Sequence, residues 1–177
     1  QRSYFVTMSS PTYSNLSKLK MDYRSQSRTP THRSNRKKKI DLSSQFISLT
    51  DALQKYPTFF DPAKISVVER YLHKLDELPP KFKDVETLYL SGNQLSNLNG
   101  IEQFQRLRTL SLGHNFIDSL DEISRLKYCR HLENVNLQGN PVCMRPNYRC
   151  YVILLLPSLR ELDGSSIGPH ERQEADI

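Results

Sequence analysis

The side chains able to do chemistry in this chain are few and scattered. Histidines stand at His32, His73, His114, His131 and His170, and no two have the close spacing of a metal pair. Three cysteines, Cys129, Cys143 and Cys150, complete the nucleophile inventory. Cys143 and Cys150 are the nearest approach to a ligand pair, but six residues separate them and no histidine lies close by. An odd, low cysteine count also argues against an extracellular disulfide framework, so the thiols are read as reduced and largely packed. The chain holds no G-x-x-x-x-G-K phosphate loop, no G-x-S-x-G nucleophile turn and no H-E-x-x-H metal helix. No carboxylate pair stands out. These absences predict a protein that is not an enzyme and that needs no cofactor and no metal.

What does recur at regular spacing is an amide. Asn93, Asn115 and Asn140 each sit inside the same apolar frame. The frames are Val85, Leu88, Leu90, Leu95 and Leu98; then Leu107, Leu110, Leu112, Ile117 and Leu120; then Leu132, Val135, Leu137 and Val142. This is the pattern L-x-x-L-x-L-x-x-N-x-L, with starts at 85, 107 and 132, within the period of about 20–29 residues of leucine-rich repeats. An asparagine amide can serve backbone donors and acceptors at once where a strand turns outward, and stacked coils bury that turn. Between the frames, Ile101 with Phe104 and Ile123 with Leu126 fall at i, i+3, as one helical turn facing the core requires. Asn99-Gly100 supplies the bend before the first of these, and the longer return at 120–131 predicts a true α-helix.

The flanking regions are less regular. Residues 1–39 hold ten Lys/Arg against one acidic residue, whereas the remainder is mildly acidic. With few apolar residues this tail is expected to be disordered. Its cluster Arg33, Arg36, Lys37, Lys38 and Lys39 suits an acidic surface, nucleic acid or nuclear localisation. The plainer and preferred reading is a solvated tail, with Ser27, Thr29 and Ser34 placed for phosphorylation. The segment 40–47 reads as an opening repeat: Ile40 and Leu42 face inward, Gln45 takes the asparagine place and Ile47 matches Leu95. Thr50 or Asp51 can cap a helix through Lys55, which Pro57 stops. Aligning Leu75 and Leu78 with Leu95 and Leu98 makes a degraded repeat with Ile65, Val68, Arg70 and His73 in the core columns. Arginine in such a column is costly, so either the register slips or Arg70 bends out to solvent. At the other end Pro146 is expected to open a helix whose face carries Tyr148, Val152 and Leu155, with Leu159 and Leu162 in a last strand. No run is long and apolar enough to span a membrane, and the first residues carry no signal-peptide pattern. The expectation is an intracellular protein without a membrane partner, with Met8 and Met21 as candidate starts.

The stretch N-P-V…Y-R…V-I…L-P-x-L…L-D-G over 140–164, with Ile167 and E-R-Q-E-A at 171–175, resembles the carboxyl-terminal cap of the short, 22-residue leucine-rich-repeat class. Members of that class include a type-one protein phosphatase regulator, the spliceosomal A-prime protein, an axonemal dynein light chain and ciliary and centrosomal proteins. The resemblance spans about residues 40–175. It implies an α/β right-handed superhelix, with a parallel concave sheet, a short helical convex side and a cap, which acts by binding proteins. The implied organisation is a tail at 1–39, degenerate repeats at 40–80, regular repeats at 85–142, a cap at 140–164 and an extension at 165–177.

In such a solenoid the residues between inward leucines point outward on the concave face. The central column is then read as Asp41, Glu69, Tyr89, Ser111, Asn136 and Asp163, beside Tyr71, Thr87, Ser91, Thr109, Gly113, His114, Asn134 and Gln138. Tyrosine offers rigid contact area with a polar tip, so Tyr71 and Tyr89, with His114, form the candidate centre of a protein-binding patch. Ser91, Ser111, Asn134, Asn136 and Gln138 complete it. The favoured function is a monomeric, non-catalytic scaffold for a protein partner in a cytoskeletal, ciliary or centrosomal setting. The alternatives are a ribonucleoprotein component, with a nuclear location, or a phosphatase regulatory subunit. Because the concave face lacks basic and aromatic interleaving, only the tail is suited to touch nucleic acid.

Overall fold

A computed structural model of the chain describes residues 46–56 and 61–175. The basic cluster at 33–39, the inward positions Ile40 and Leu42, the concave position Asp41 and Gln45 in the asparagine place lie outside the described residues.

Each coil begins where two apolar side chains one residue apart force a short strand to face the core. The result is a six-stranded sheet built from β2 (Lys64–Ser66), β4 (Thr87–Tyr89), β5 (Thr109–Ser111), β6 (Asn134–Asn136), β7 (Glu161–Leu162) and β8 (Ser165–Ser166). The first five are parallel and the last is antiparallel. Their register is continuous: Ile65, Leu88, Leu110, Val135 and Leu162 stand opposite one another, one residue per coil. All five are buried, together with Val67, Leu90, Leu112 and Leu137 from the next inward position. On the flank, β1 (Ile47–Ser48) pairs in parallel with β3 (Leu72–Lys74).

The turn after each strand is held by the amides. Asn115 accepts the Leu95 N–H at 3.1 Å on Oδ1 and donates from Nδ2 to the carbonyls of Leu90 at 3.0 Å and Leu112 at 2.8 Å. Asn140 repeats this with the Ile117 N–H and the carbonyls of Leu112 and Leu137. Asn93 accepts from the N–H groups of Arg70 and Leu72 and donates to Val67 and Leu90. The three side chains are almost wholly buried, and among the described residues no buried side-chain nitrogen or oxygen lacks a partner.

This ladder corrects the reading of the degraded repeat over 65–78. Asn93 receives the Leu72 N–H as Asn115 receives that of Leu95, so Leu72 and Leu75 are the counterparts of Leu95 and Leu98. Ile65 and Val67 fill the inward pair, Val68 is exposed, and Arg70 occupies the asparagine place at the surface rather than a core column. The three-residue slip arises because Leu72, Leu75 and Leu78 repeat every three residues, so two frames fit the leucines equally. Ile47 does stand beside Leu72, in the column of Leu95.

The return path is a short helical turn per coil. Pro80–Phe82 and Ile101–Gln103 form 3₁₀ turns, while the longer third return starts as α2 (Leu120–Ser124) and tightens into 3₁₀ over Arg125–Tyr128. Ile101, Phe104, Ile123 and Leu126 are buried as their spacing requires. Gly100 makes the entry to the second return possible: its φ is +93°, and a Cβ there would lie 2.2 Å from the Leu75 carbonyl oxygen. A second polar column closes the coils on this side. Glu122 Oε2 accepts the Leu98 N–H at 2.9 Å, and Gln103 Oε1 accepts the Leu78 N–H at 2.8 Å. Asp76 Oδ1 accepts the Thr50 N–H at 2.9 Å. Helix α1 (Leu49–Lys55) is capped by Ser48, whose Oγ accepts the Asp51 N–H, instead of by Thr50 or Asp51.

The carboxyl-terminal end is covered by α3 (Tyr148–Leu155), β8 and α4 (Pro169–Ala175). Pro146 lies two residues ahead of α3, and Asn147, at φ 57°, makes the entry. Tyr148 and Val152 are buried and Leu155 packs at the core margin. Arg149 donates to the Leu162 carbonyl at 3.1 Å and, through Nη2, to Glu171 Oε2 at 3.0 Å, which clamps α4 against α3.

Candidate functional site

The concave face is the outward surface of the parallel sheet, and the ladder fixes which side chains share a column. The column through Tyr89 is Ser66, Tyr89, Ser111 and Asn136. Ser66 therefore stands where Glu69 was expected. Glu69 lies three residues further along, at the left-handed turn position before the asparagine column, where Gly92, His114 and Gly139 follow it. One step toward the strand starts is a parallel column of Lys64, Thr87, Thr109, Asn134 and Glu161. Lys64 Nζ lies 5.0 Å from the centre of the Tyr89 ring, a cation–π contact.

Six of the eight expected residues come together here. Ser91 and Ser111 share a hydrogen bond of 2.8 Å between their hydroxyls. Asn136 Oδ1 accepts the Gln138 N–H at 2.9 Å, and Gln138 Nε2 donates to the Asp163 carbonyl at 2.7 Å. Gly113 is closely packed among Ser91, Asn136 and Gln138, and a Cβ there would lie 3.3 Å from the Gln138 carbonyl oxygen. Tyr89 and Asn134 complete the six. His114, at φ 56°, lies at the rim against Gly139. Tyr71 is not on this face. The corrected register puts it in the column of Gln94 and Phe116, beyond the asparagine ridge, where it is 56% exposed.

That flank was not foreseen. Phe46, His73, Gln94, Ser96 and Phe116 line an open groove of about 370 Å³, with Phe46 and Phe116 both half-exposed. His73 Nδ1 lies 2.8 Å from the Ile47 carbonyl, so this nitrogen carries the proton and donates. The sequence signal for the groove was the match of Ile47 with Leu95, which puts Phe46 in the column of Gln94 and Phe116; the corrected frame of Leu72 adds His73 beside Ser96.

Nothing on the sheet brings reactive groups together. Burial, with Glu102 nearby, pushes the Cys129 thiol up to about 12, and burial also raises that of Cys143, so neither is a thiolate at neutral pH. Burial and the neighbouring Asp163 carboxylate push the Tyr148 hydroxyl far up, and it donates to Asp163 Oδ2 at 3.0 Å. Asp163 Oδ1 accepts the Leu137 N–H, so this carboxylate serves the last coil as a structural acceptor. Among the described residues no three His, Cys, Asp or Glu side chains are placed to hold a metal ion, and no helix is long and apolar enough to cross a membrane.

A leucine-rich-repeat family model matches residues 16–177. The chain belongs to the leucine-rich-repeat family. Within it, this leucine-rich-repeat protein is 32% identical over 140 residues to a probable U2 small nuclear ribonucleoprotein A' of Caenorhabditis elegans, covering 78% of this chain and 54% of that protein. It is 34% identical over 134 residues to dynein axonemal assembly factor 11 of Trypanosoma brucei brucei, covering 63% of this chain and 35% of the relative. A chain in the crystal structure of the Drosophila melanogaster SNF/U2A' complex superposes with a TM-score of 0.60 at 32% identity, over 64% of this chain and 66% of that one. The leucine-rich-repeat protein thus spans about half the length of the curated ribonucleoprotein relative and less of the axonemal one.

Proposed function

We propose that this leucine-rich-repeat protein is a non-catalytic scaffold that holds a segment of another protein on its concave face. The observation that carries this reading is the sheet itself. Five parallel strands in unbroken register present Ser66, Tyr89, Ser111 and Asn136 as a fixed row, on backbone already satisfied by the strand ladder and the asparagines. A rigid face loses little conformational entropy on binding, and Tyr89 supplies the amphipathic anchor that interfaces favour. The absence of convergent acid, base or nucleophile among the described residues supports a binding role. So does the kind of relative: one is named as an assembly factor, and a similar solved chain comes from a two-protein complex. The partner is unidentified, and an intracellular setting, cytoskeletal or ciliary, fits the axonemal relative.

Proximity labelling and co-purification from the source cell, with wild type beside Tyr89→Ala, test this. Tyr89→Ala should melt within a few degrees of wild type, because surface changes usually stay within about 0.5 kcal/mol. It should nevertheless lose the recovered partners. Tyr71→Ala, on the flank, should retain them. Partners kept by Tyr89→Ala and lost by Tyr71→Ala would move the site to the flank.

A ribonucleoprotein role is the second reading, favoured by the similarity to the U2 A' proteins. Under it, direct RNA contact falls to the basic residues 1–39, and RNA binding would weaken steeply with salt and vanish on their deletion. No RNA binding at low salt would exclude direct RNA contact by this chain.

A further inference from the structure

The concave face carries a charge order as well as a shape. In the column Lys64, Thr87, Thr109, Asn134 and Glu161 the first residue is a cation, the last is an anion, and the three between are neutral hydrogen-bonding side chains. Lys64, Asn134 and Glu161 are exposed. The neighbouring column at the strand starts is different: there the charges answer one another. Arg108 meets Glu133 at 2.6 Å and Glu86 at 3.8 Å, and Arg160 meets Glu133 at 3.8 Å. Among the described residues neither Lys64 nor Glu161 meets an opposite charge within ion-pair distance, although Asp61 and Glu86 lie near the first in the fold and Arg160 near the second. Lys64 rests instead on the Tyr89 ring, and Arg70 rests on Tyr56 at 4.7 Å at the same end of the array. At the far end Asp163 adds a second carboxylate, already bonded to Tyr148 and the Leu137 N–H.

We infer that the concave face selects a dipolar protein segment, running across the strands, whose acidic end meets Lys64 and whose basic end meets Glu161. The inference rests on the concave docking reading and adds the chemistry of the partner. Four inter-strand steps of about 4.8 Å set the backbone positions of Lys64 and Glu161 about 19 Å apart across the sheet. That distance is about six residues of extended chain or about thirteen of helix. It also exceeds twice the Debye length of about 8 Å in physiological salt, so the ends act independently. Each selects the charge nearest to it, and the neutral middle row hydrogen-bonds whatever lies between. A segment with the same charge at both ends gains at one and loses at the other.

The independence of the ends gives the test. A phage-displayed library of random peptides, each about sixteen residues long and so able to span the face even as a helix, is panned against the full chain. Wild type, Tyr89→Ala, Lys64→Glu and Glu161→Lys are used side by side. Wild type should enrich peptides with one acidic and one basic group at the stated separation. Lys64→Glu should enrich peptides basic at both ends, and Glu161→Lys peptides acidic at both ends. A wild-type-selected peptide should bind either variant roughly threefold to tenfold more weakly, the size of one or two exposed ion pairs. Pools of unchanged charge from both variants, with binding still lost in Tyr89→Ala, would overturn the dipolar inference and leave concave docking intact. Pools indifferent to Tyr89→Ala, or no enrichment on wild type, would overturn the docking reading itself.

Discussion

At the scale of single residues, the buried asparagines hold more of this protein together than their number suggests. Each amide joins two consecutive coils by accepting backbone N–H groups and donating to backbone carbonyls, in a position almost closed to solvent. Asn115→Ala should therefore cost on the order of 3 kcal/mol in urea unfolding, since it strands the Leu95 N–H and weakens two buried carbonyls at about 1–3 kcal/mol per orphaned group. A loss below about 1 kcal/mol would mean that water replaces the amide. Adjacent residues in the coil of β2 and β3 give a sharper contrast. Leu72 is fully buried, whereas Tyr71 is exposed on the flank. Leu72→Ala should destabilise by roughly 2–5 kcal/mol, as large-to-small core changes do, and Tyr71→Ala by less than about 0.5 kcal/mol. The reverse order would restore the frame in which Leu75 matches Leu95.

At the scale of elements, the most conditional piece is α4. It buries no residue of its own and is held by charged contacts, chiefly Arg149 with Glu171 and Arg172 with the carbonyls of Ile153 and Leu159. The hydrogen bond from Arg149 outweighs burial and holds the Glu171 carboxyl below the usual carboxylate range. A carboxylate depressed in the folded state contributes stability that is complete above its unfolded value of about 4.3 and is lost as pH falls through the lower folded value. The protection of the 170–175 amides, corrected for the intrinsic pH dependence of exchange, should accordingly fall below about pH 4 while β4 and β5 stay protected. In Glu171→Gln the same amides should be poorly protected already at neutral pH, with little further loss of protection in acid. Uniform exchange across α4 and the sheet would make the helix part of the cooperative core.

At the scale of the whole molecule, the carboxyl-terminal end of the solenoid carries its own cover. A coil stack contacts only its neighbours, so each terminal coil needs a cover. At the carboxyl end α3, β7, β8 and α4 supply it, and Val152, Leu156, Leu159 and Leu162 join the continuous core. A chain ended at residue 140 should lose its cooperative thermal transition, because it would expose the last coil and remove the Asp163 acceptor of the Leu137 N–H. A sharp transition near the wild-type temperature would show that the regular coils are self-sufficient.

Much of this architecture could be read directly from residue order. The coils between Val85 and Val142, their inward leucines, the asparagine turns and the paired apolar residues of the returns all follow from local spacing, because each coil repeats one pattern and packs on its neighbours; the cap was legible through the family resemblance. The concave positions Tyr89, Ser91, Ser111, Asn134, Asn136 and Gln138 follow from the same alternation. Three features needed the tertiary ladder. Leu72, Leu75 and Leu78 support two frames, and contacts between coils decide between them: the Leu72 N–H bonds to Asn93 and Ile65 pairs with Leu88. That decision moved Tyr71 to the flank and placed Lys64 and Ser66 on the concave face. The groove between Phe46 and Phe116 and the charge order from Lys64 to Glu161 exist only across coils. Residues more than twenty positions apart become neighbours through strand pairing, and which of them meet depends on register, which spacing within one coil does not specify.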